Sequence, residues 1–439
     1  MTLKRALVSL TLVMLATTVG WGQVITLESL LREMVDMERL AVIPEPYYDS
    51  DQQSSYDRAS TAPNKEGWFA NGDAGQFIRE EDHNGRKEWV MAEMDGPGVI
   101  CRIWSANPDG GGNVRIYLDD METPVIEEDF LKLTSGTMAE FPGPFSGRRS
   151  LGANLYLPLP YQTRAKCTVD KPSLYYQIGY RTYPKGTQVE PFSPAALANV
   201  KATMDEVGER LSNPSRRFTT DGADRTAEEW VLSPGQSETL RLTGERAIVR
   251  MEARVEDAAA DEKRRELEER RARYTEMHPR VQTAVSELGK LEEGGAQERL
   301  FAALRESLLT VRFDGENEPC VWAPLGDFFG SQPGINAYES LPVGMREDGL
   351  CYANWHMPFG KQAEITVTNE SASPVRLRLA VWAKPVAFDG GRDLYFHAKW
   401  RNEWLPSEPQ FLDWRMLDGT GPGRFVGVML GVMNTQSGW

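Results

Sequence analysis

A set of colinear internal matches constrains this chain more than any other feature. RIYLDDMETPVI, beginning at Arg115, matches LLTVRFDGENEPCV in the latter half, aligning Asp119 with Asp314 and Pro124 with Pro319, both 195 residues on. LPLPY then matches HMPF, with Pro160 on Pro358 and Tyr161 on Phe359, and AKCTV matches AEITV, with Ala165 on Ala363 and Val169 on Val367, all 198 residues on. Three matches in the same order at so long a period imply a duplicated domain, not a solenoid.

The repeated text reads as strands. Val114, Ile116 and Leu118 alternate with Arg115 and Tyr117, which turns one face toward a core and the other outward. DGPGVICRIW (Asp95–Trp104), METPVI (Met121–Ile126), LYLPLPY (Leu155–Tyr161) and LYYQIGYRTY (Leu174–Tyr183) are further short runs bounded by turn residues. With 12 Trp, 14 Tyr, 39 Gly and 27 Pro, the composition favours a sandwich or barrel over a helical bundle. The expected architecture is all-β, a tandem sandwich. Its first domain covers residues 23–235, opening on an amphipathic helix over Thr26–Leu40 that caps a sandwich edge. Its second covers residues 236–439 and carries a helical insertion at about 257–307. There DEKRRELEERRARYTEMHP is nearly saturated with charge, and Pro279 separates it from VQTAVSELGKLEE, so a helical hairpin is expected, either as a solvated face or as an assembly contact. Near the end, DGTGPGRFVGVMLGV (Asp418–Val432) repeats the pattern of DGPGVICRIW. A third copy is expected to begin there, with its partner strand falling past Trp439, so that the second half is incomplete at its C-terminus and the chain is a fragment.

Lys4 and Arg5 precede an apolar run from Ala6 to Val19, and Gly20 and Gly22 sit at the −3 and −1 positions of a cut before Gln23. This pattern predicts a secretory signal peptide over residues 1–22 and a secreted or periplasmic mature protein. No later stretch is apolar for long enough to span a bilayer, so no membrane partner is expected. The formal charge of −15 becomes more negative once the leader's two cations are removed, which repels nucleic acid. Cys101, Cys167, Cys320 and Cys351 lie far apart with no CxxC pair, and four histidines complete the soft-ligand inventory, which argues against a structural zinc site. A core of this size does not require disulfides, and buried free thiols within strands are the expectation. No metal and no cofactor is predicted.

No GxSxG elbow, P-loop or GxGxxG fingerprint occurs at a strand-to-helix turn. Carboxylates are abundant, but pairs such as Asp119-Asp120 and Glu127-Glu128 read as solvated turn residues. Three clusters exceed that background. In SSYDRAS and GWFANGDAGQFIR, the residues Tyr56, Asp57, Arg58, Trp68, Asn71 and Asp73 mix aromatic faces with hydrogen-bonding tips. That mixture suits a sugar, whose CH faces stack on rings while its hydroxyls need donors and acceptors; it equally suits a salt-bridged loop over the first sandwich. APLGDFFGSQPGINAYESLPVG, with Asp327, Phe329, Asn336 and Glu339, reads as a long ordered loop, functional or merely structural. In CYANWHMPF, His356 beside a proline turn reads as structural.

Taken together, SSYDR, DGPGVICRIW, the IYLD and TPV strand, LYLPLPY, DGENEPCVWAPLGDFFG, the YESLP loop and NWHMPF resemble glycoside hydrolase family 172, formerly domain-of-unknown-function family 2961. The resemblance runs from about Leu40 to Trp439. It implies a double jelly-roll protomer assembling into trimers or hexamers and acting on furanosides, with α-D-fructofuranosyl or D-arabinofuranosyl linkages, by a retaining mechanism. Such a mechanism needs two carboxyl groups ~5–5.5 Å apart, one as nucleophile and one as acid/base. The family's glutamates lie in W-G-E-G-D and G-T-G-x-E-D-Y segments that follow the last GPG-type strand. This sequence ends at GVMNTQSGW, so no catalytic residue is carried over, and the chain alone is expected to be inactive. Tyr56, Asp57, Arg58, Asp73, Asp327 and Phe329 are the candidate substrate-binding residues, for an oligo- or polysaccharide. A non-catalytic carbohydrate-binding or structural assembly protein is the competing reading, because a jelly roll serves either purpose.

Overall fold

A computed structural model describes residues 24–61, 70–332, 334–402 and 416–432 of the 439-residue chain. The leader expected over residues 1–22 lies outside them, as does Trp68. Helix α1 (Leu27–Glu33) begins with a capping box, in which Thr26 Oγ1 accepts from the Ser29 N–H and Ser29 Oγ accepts from the Thr26 N–H. It is shorter than the predicted Thr26–Leu40 element; a separate 3-10 turn follows over Glu38–Ala41.

The first unit contains β1 (Asp49–Ser54), β2 (Arg79–His83), β3 (Arg86–Asp95), β4 (Gly98–Ser105), β5 (Asn113–Leu118), β6 (Ile126–Asp129), β7 (Ser146–Arg149), β8 (Gly152–Leu155), β9 (Leu159–Tyr161), β10 (Arg164–Val169) and β11 (Tyr176–Thr182). Its sheets run β1-β11-β4-β8-β7, with β9 also on β4, and β2-β3-β10-β5-β6. Helix α2 (Lys201–Ser212) leads to the second unit, which starts with β12 (Asp224–Leu232), β13 (Ser237–Thr243) and β14 (Arg246–Asp257). After helices α3 (Ala259–Arg273), α4 (Pro279–Glu293) and α5 (Ala296–Glu306) come β15 (Ser307–Phe313), β16 (Val321–Pro324), β17 (Tyr338–Glu339), β18 (Val343–Met345), β19 (Cys351–Ala353), β20 (Met357–Phe359), β21 (Gln362–Asn369), β22 (Val375–Pro385) and β23 (Ala398–Lys399). Those sheets run β12-β22-β14-β19-β18-β17, with β20 on β14, and β13-β21-β15-β16-β23.

The two units correspond strand for strand: β1 with β12, β3 with β13, β4 with β14, β5 with β15, β10 with β21 and β11 with β22. Each order is that of a jelly roll, two interleaved Greek keys closed into a sandwich. The chain is therefore an all-β double jelly roll. Each unit has its own core, one built around residues such as Met91, Ile116, Phe145 and Ile178, the other around Val311, Phe313, Phe359 and Ile365.

The sequence repeat survives to the level of single hydrogen bonds. Asp119 and Asp314 both sit at positive φ, 62° and 53°, just past β5 and β15. Asp119 accepts from the N–H groups of Gln162, Thr163 and Arg164, and Asp314 accepts from those of Gly360, Lys361 and Gln362. The solvated-turn reading of Asp119 is thus wrong in its physics: the carboxylate holds the turn into the neighbouring strand. Those backbone bonds counter the cost of burial and hold both carboxyls below the ordinary aspartate range.

Three further expectations change. β12 pairs with β22 from Asp224↔Ala383 to Leu232↔Val375, so the second unit begins before Asp224 and not at residue 236. The insertion holds three helices. α3 and α4 form the expected hairpin, closed over Leu267, Val281 and Ala284 and laced by Lys263–Glu287 at 2.8 Å and Arg264–Glu292 at 2.6 Å. α5, with an apolar stripe that the charge pattern obscured, packs Ala303 and Leu304 into the second core. Finally, Asp418–Val432 forms no strand among the described residues; Phe425, Val428 and Val432 are exposed, and Arg424 fastens the segment to the Val42 carbonyl and the Tyr48 hydroxyl, each at 2.8 Å. A β-strand needs a ladder partner, and the expected third copy has none here.

The four cysteines are free thiols, buried except for the partly exposed Cys101. Burial raises the Cys167 and Cys351 thiols to about 12.

Candidate functional site

The loop leaving β1 brings four of the six candidate residues together. Ser55 anchors it: the Ser55 N–H donates to the Tyr176 carbonyl, and the Tyr176 N–H returns to Ser55 Oγ, both at 3.0 Å. Asp57 then holds the loop closed, Oδ1 accepting from the Ala59 N–H at 2.9 Å and Oδ2 from the Gly72 N–H at 2.8 Å. Gly72 lets its N–H approach this closely, since a Cβ would lie 2.7 Å from Asp57 Oδ2 and displace it. Asp73 Oδ1 accepts from the Asp57 N–H at 2.8 Å, and Gln76 Nε2 donates to the Gly72 carbonyl at 3.0 Å.

The consequence is a division of labour. Asp57 and Asp73 are occupied by backbone donors and shape the loop. Tyr56, 53% exposed, presents the ring, and the Arg58 guanidinium lies over it, 3.9 Å from the centroid. Arg58 is fixed by the Ser54 and Tyr56 carbonyls. The outward surface is therefore an aromatic ring with a guanidinium over one face and the other left to a ligand, and Asn71 is exposed as well.

Asp327 and Phe329 belong elsewhere. Both sit at the end of a short helical turn on the second unit, where Asp327 is ion-paired to Arg305 of α5 with its side chain 7% exposed. Phe329 has no exposure, packs edge-to-face on Phe328 at 5.0 Å, and its carbonyl accepts from the Tyr338 hydroxyl at 2.6 Å. An aromatic ring sealed in a core cannot stack on a ligand, so the sequence pattern of alternating glycine and aromatics reflects packing at this position.

His356, read as structural, has a more unusual environment. Trp355 packs on Phe396, with ring centroids 5.2 Å apart, and Asn354 is buried, accepting from Arg250 at 2.7 Å and donating to the Leu341 carbonyl at 2.8 Å. His356 is partly buried, and its Nδ1 is enclosed without a hydrogen-bond partner. Burial lowers its pKa below the ordinary histidine value against the opposing pull of Glu38, so the imidazole is neutral near pH 7.

The most enclosed carboxylate offers no chemistry. Glu88, at 0% exposure, accepts from the Tyr117 hydroxyl at 2.9 and 3.0 Å, from Thr168 Oγ1 at 2.6 Å and from Arg86 at 2.7 Å. Every lone pair is used. Among the described residues, no group of three or more His, Cys, Asp or Glu is placed to hold a metal ion, and no helix is long and apolar enough to cross a membrane.

Comparison with known proteins adds the family. A model of the GH172 first beta-sandwich domain matches residues 46–200, and one described as GH172 domain-like matches residues 290–380. No curated protein sequence matches the chain. Among solved structures, the major capsid protein P2 from bacteriophage PM2 aligns over 78% of this chain and 99% of its own, at 7% identity and a TM-score of 0.17. The STIV MCP aligns over 77% of this chain and 96% of its own, at 10% identity and a TM-score of 0.17. Scores this low carry no argument; the jelly-roll assignment stands on strand order. The first match covers the roll that bears the Tyr56 loop, and the second covers β15, β16 and β21 with the Asp314 turn. With a matching segment in each roll, together more than half of its length, the chain belongs to glycoside hydrolase family 172.

Proposed function

We propose that this chain belongs to an exported glycoside hydrolase-like protein acting on furanosides, with α-D-fructofuranosyl or D-arabinofuranosyl linkages, by a retaining two-glutamate mechanism. The observation that carries the reading is the pair of family matches, one in each jelly roll. The Tyr56 ring, exposed and covered on one face by Arg58, supports a sugar-stacking role for the first loop through its other face. Asp57 and Asp73 act on substrate indirectly, by holding that ring in place. No glutamate among the described residues is assigned the nucleophile or acid/base role. Secretion or periplasmic export, and assembly into trimers or hexamers, complete the proposal on the leader pattern and the family resemblance.

The test is release of fructose or arabinose from furanosyl oligosaccharides by the protein carrying both glutamate segments. Release is expected, with Tyr56→Ala raising KM at least about fivefold while thermal unfolding stays cooperative. No release from any furanoside would overturn the reading. A non-catalytic carbohydrate-binding protein is the second reading, favoured by the fact that Asp57, Asp73, Asp119 and Asp314 are all committed to backbone donors. Equilibrium binding of the same oligosaccharides without turnover would select it.

A further inference from the structure

Between the two jelly rolls lies a cleft of about 420 Å³ that shares no residue with the Tyr56 loop. One wall comes from the chain between α1 and β1 and from α2; the other comes from β14 and β22, through Val249 and Lys384, and from the turn between β19 and β20, through Asn354 and His356. The loop before β12, with Phe218 and Thr219 to Asp221, forms a third side. The size falls in the range of small-molecule sites, about 300–1,000 Å³.

Most charges lining this cleft already have partners. Arg32 pairs with Glu28 at 2.8 Å and reaches Glu206 at 3.7 Å. Lys384 is ion-paired with Glu38 across the domain junction, and Arg210 donates to the Val35 carbonyl at 3.1 Å. An anionic ligand would have to break the Arg32 or Lys384 pair or share Arg210 with the Val35 carbonyl, and an isolated cation would find Asp221 at the exposed rim. What remains open is the partly exposed His356 ring, the hydroxyls of Thr219 and Thr220, and the Asp221 carboxylate at the rim. Phe218 and Val249 supply apolar surface beside them. A neutral imidazole offers one donor and one acceptor, a hydroxyl offers both, and a carboxylate accepts.

Donors and acceptors interleaved with an aromatic and an aliphatic face are what a polyhydroxylated ring requires. The geometry points to this interdomain cleft as a second carbohydrate site, sized for one neutral sugar unit, with the His356 ring as its central polar contact and the Thr219–Asp221 loop as its rim. The choice of furanose probes below rests on the furanoside reading; the assignment of the cleft to a neutral sugar does not.

The experiment is ligand-observed NMR and calorimetric titration of the chain with D-fructose, D-arabinose and D-glucose, and with citrate as the anionic probe. Binding of at least one neutral sugar is expected, weakened at least tenfold by His356→Phe, which keeps the ring's bulk, and severalfold by Asp221→Ala at the exposed rim. Tyr56→Ala should leave this affinity unchanged. Should His356→Phe fail to fold, as judged by loss of a cooperative melt, Asp221→Ala and Thr220→Val decide alone. Sugar affinity unaffected by the rim variants, binding of citrate only, or no binding of any probe would each overturn the assignment. Absence of furanoside turnover by the protein carrying both glutamate segments, with sugar binding intact, would instead count against the hydrolase reading, so the two failures are separable.

Discussion

Two equivalent sheet faces of this protein have been finished in different ways. On the first jelly roll, the outward face of β3-β10-β5 encloses Glu88 within a lattice that also engages Arg86, Arg115, Tyr117 and Thr168. Lys166 and Arg115, both nearly buried, continue it to Glu81 and Asp170. On the second, the matching face of β13-β21-β15 carries Thr239–Thr366 and Ser237–Thr368 hydroxyl pairs at 2.8 Å, with Arg241–Glu364 at its margin. Thr168 and Thr366 occupy corresponding positions, yet one serves a buried anion and the other a neutral partner. The same backbone tolerates both, so the charged lattice is not a requirement of the fold. It is an addition whose removal should be felt unequally.

The largest expected effect comes from breaking that lattice. Glu88→Ala leaves the buried Tyr117 and Thr168 hydroxyls without their acceptor, while Arg86 and Arg115 keep Glu127 and Asp170, and should cost about 3 kcal/mol, the sum for two buried hydroxyls left unsatisfied. Urea unfolding measures it through the midpoint at constant slope. A loss under ~1 kcal/mol would put the two faces on the same footing and end the comparison.

Next in size are the two aspartate turns, which the comparison predicts to be alike. Asp119→Ala and Asp314→Ala each orphan three backbone N–H groups and place alanine at positive φ, so each should cost about 2 kcal/mol or more. Because they serve separate cores, the double variant should be additive within ~0.5 kcal/mol. Strong non-additivity would mean that the two turns are energetically coupled through the junction between the rolls.

Acid sharpens the contrast further. The hydrogen bonds and cations around Glu88, and the backbone donors around Asp119 and Asp314, hold these carboxyls below their ordinary values. A depressed carboxyl binds fewer protons folded than unfolded, so its stabilisation is complete above the unfolded pKa of about 4 and is lost as pH falls through the lower folded value. Stability should therefore drop below pH ~4.5, and Glu88→Gln should make that acid limb shallower. An unchanged acid limb in Glu88→Gln would remove Glu88 from the explanation.

How much of this was visible in the sequence follows the same division. The duplication was legible because the aspartate turn and the small residue after it, Ala165 or Ala363, are fixed by close strand pairing, Leu118↔Ala165 and Phe313↔Ala363. The role of Asp119 was within reach too: its alignment with Asp314 distinguished it from the surrounding acidic residues, and counting carboxylates concealed that. Glu88 was out of reach, since period-two alternation assigns it outward and says nothing of what closes over it. The limits of β12 were missed because its residues are mostly exposed and its membership is decided by β22, 143 residues further on at Leu232↔Val375. Of the candidate site, the Tyr56 loop was legible as a cluster, whereas Phe329 was misplaced because aromatic residues beside glycines look alike in a core and in a binding loop.

The smallest effect tests the neutral face alone. Thr239 and Thr366 stand directly opposite each other on β13 and β21, with their hydroxyls 2.8 Å apart and partly exposed. Cross-strand hydroxyl pairs of this kind contribute about 0.2–1 kcal/mol, since water competes for the same groups. A double-mutant cycle with Thr239→Val and Thr366→Val should return a coupling in that range, and each single variant should lose little because valine keeps the β-branched shape. If the coupling instead approached the Glu88→Ala value, hydroxyl and carboxylate would be equivalent ways of finishing a sheet. The buried charge on the first roll would then need no explanation in terms of what it stabilises.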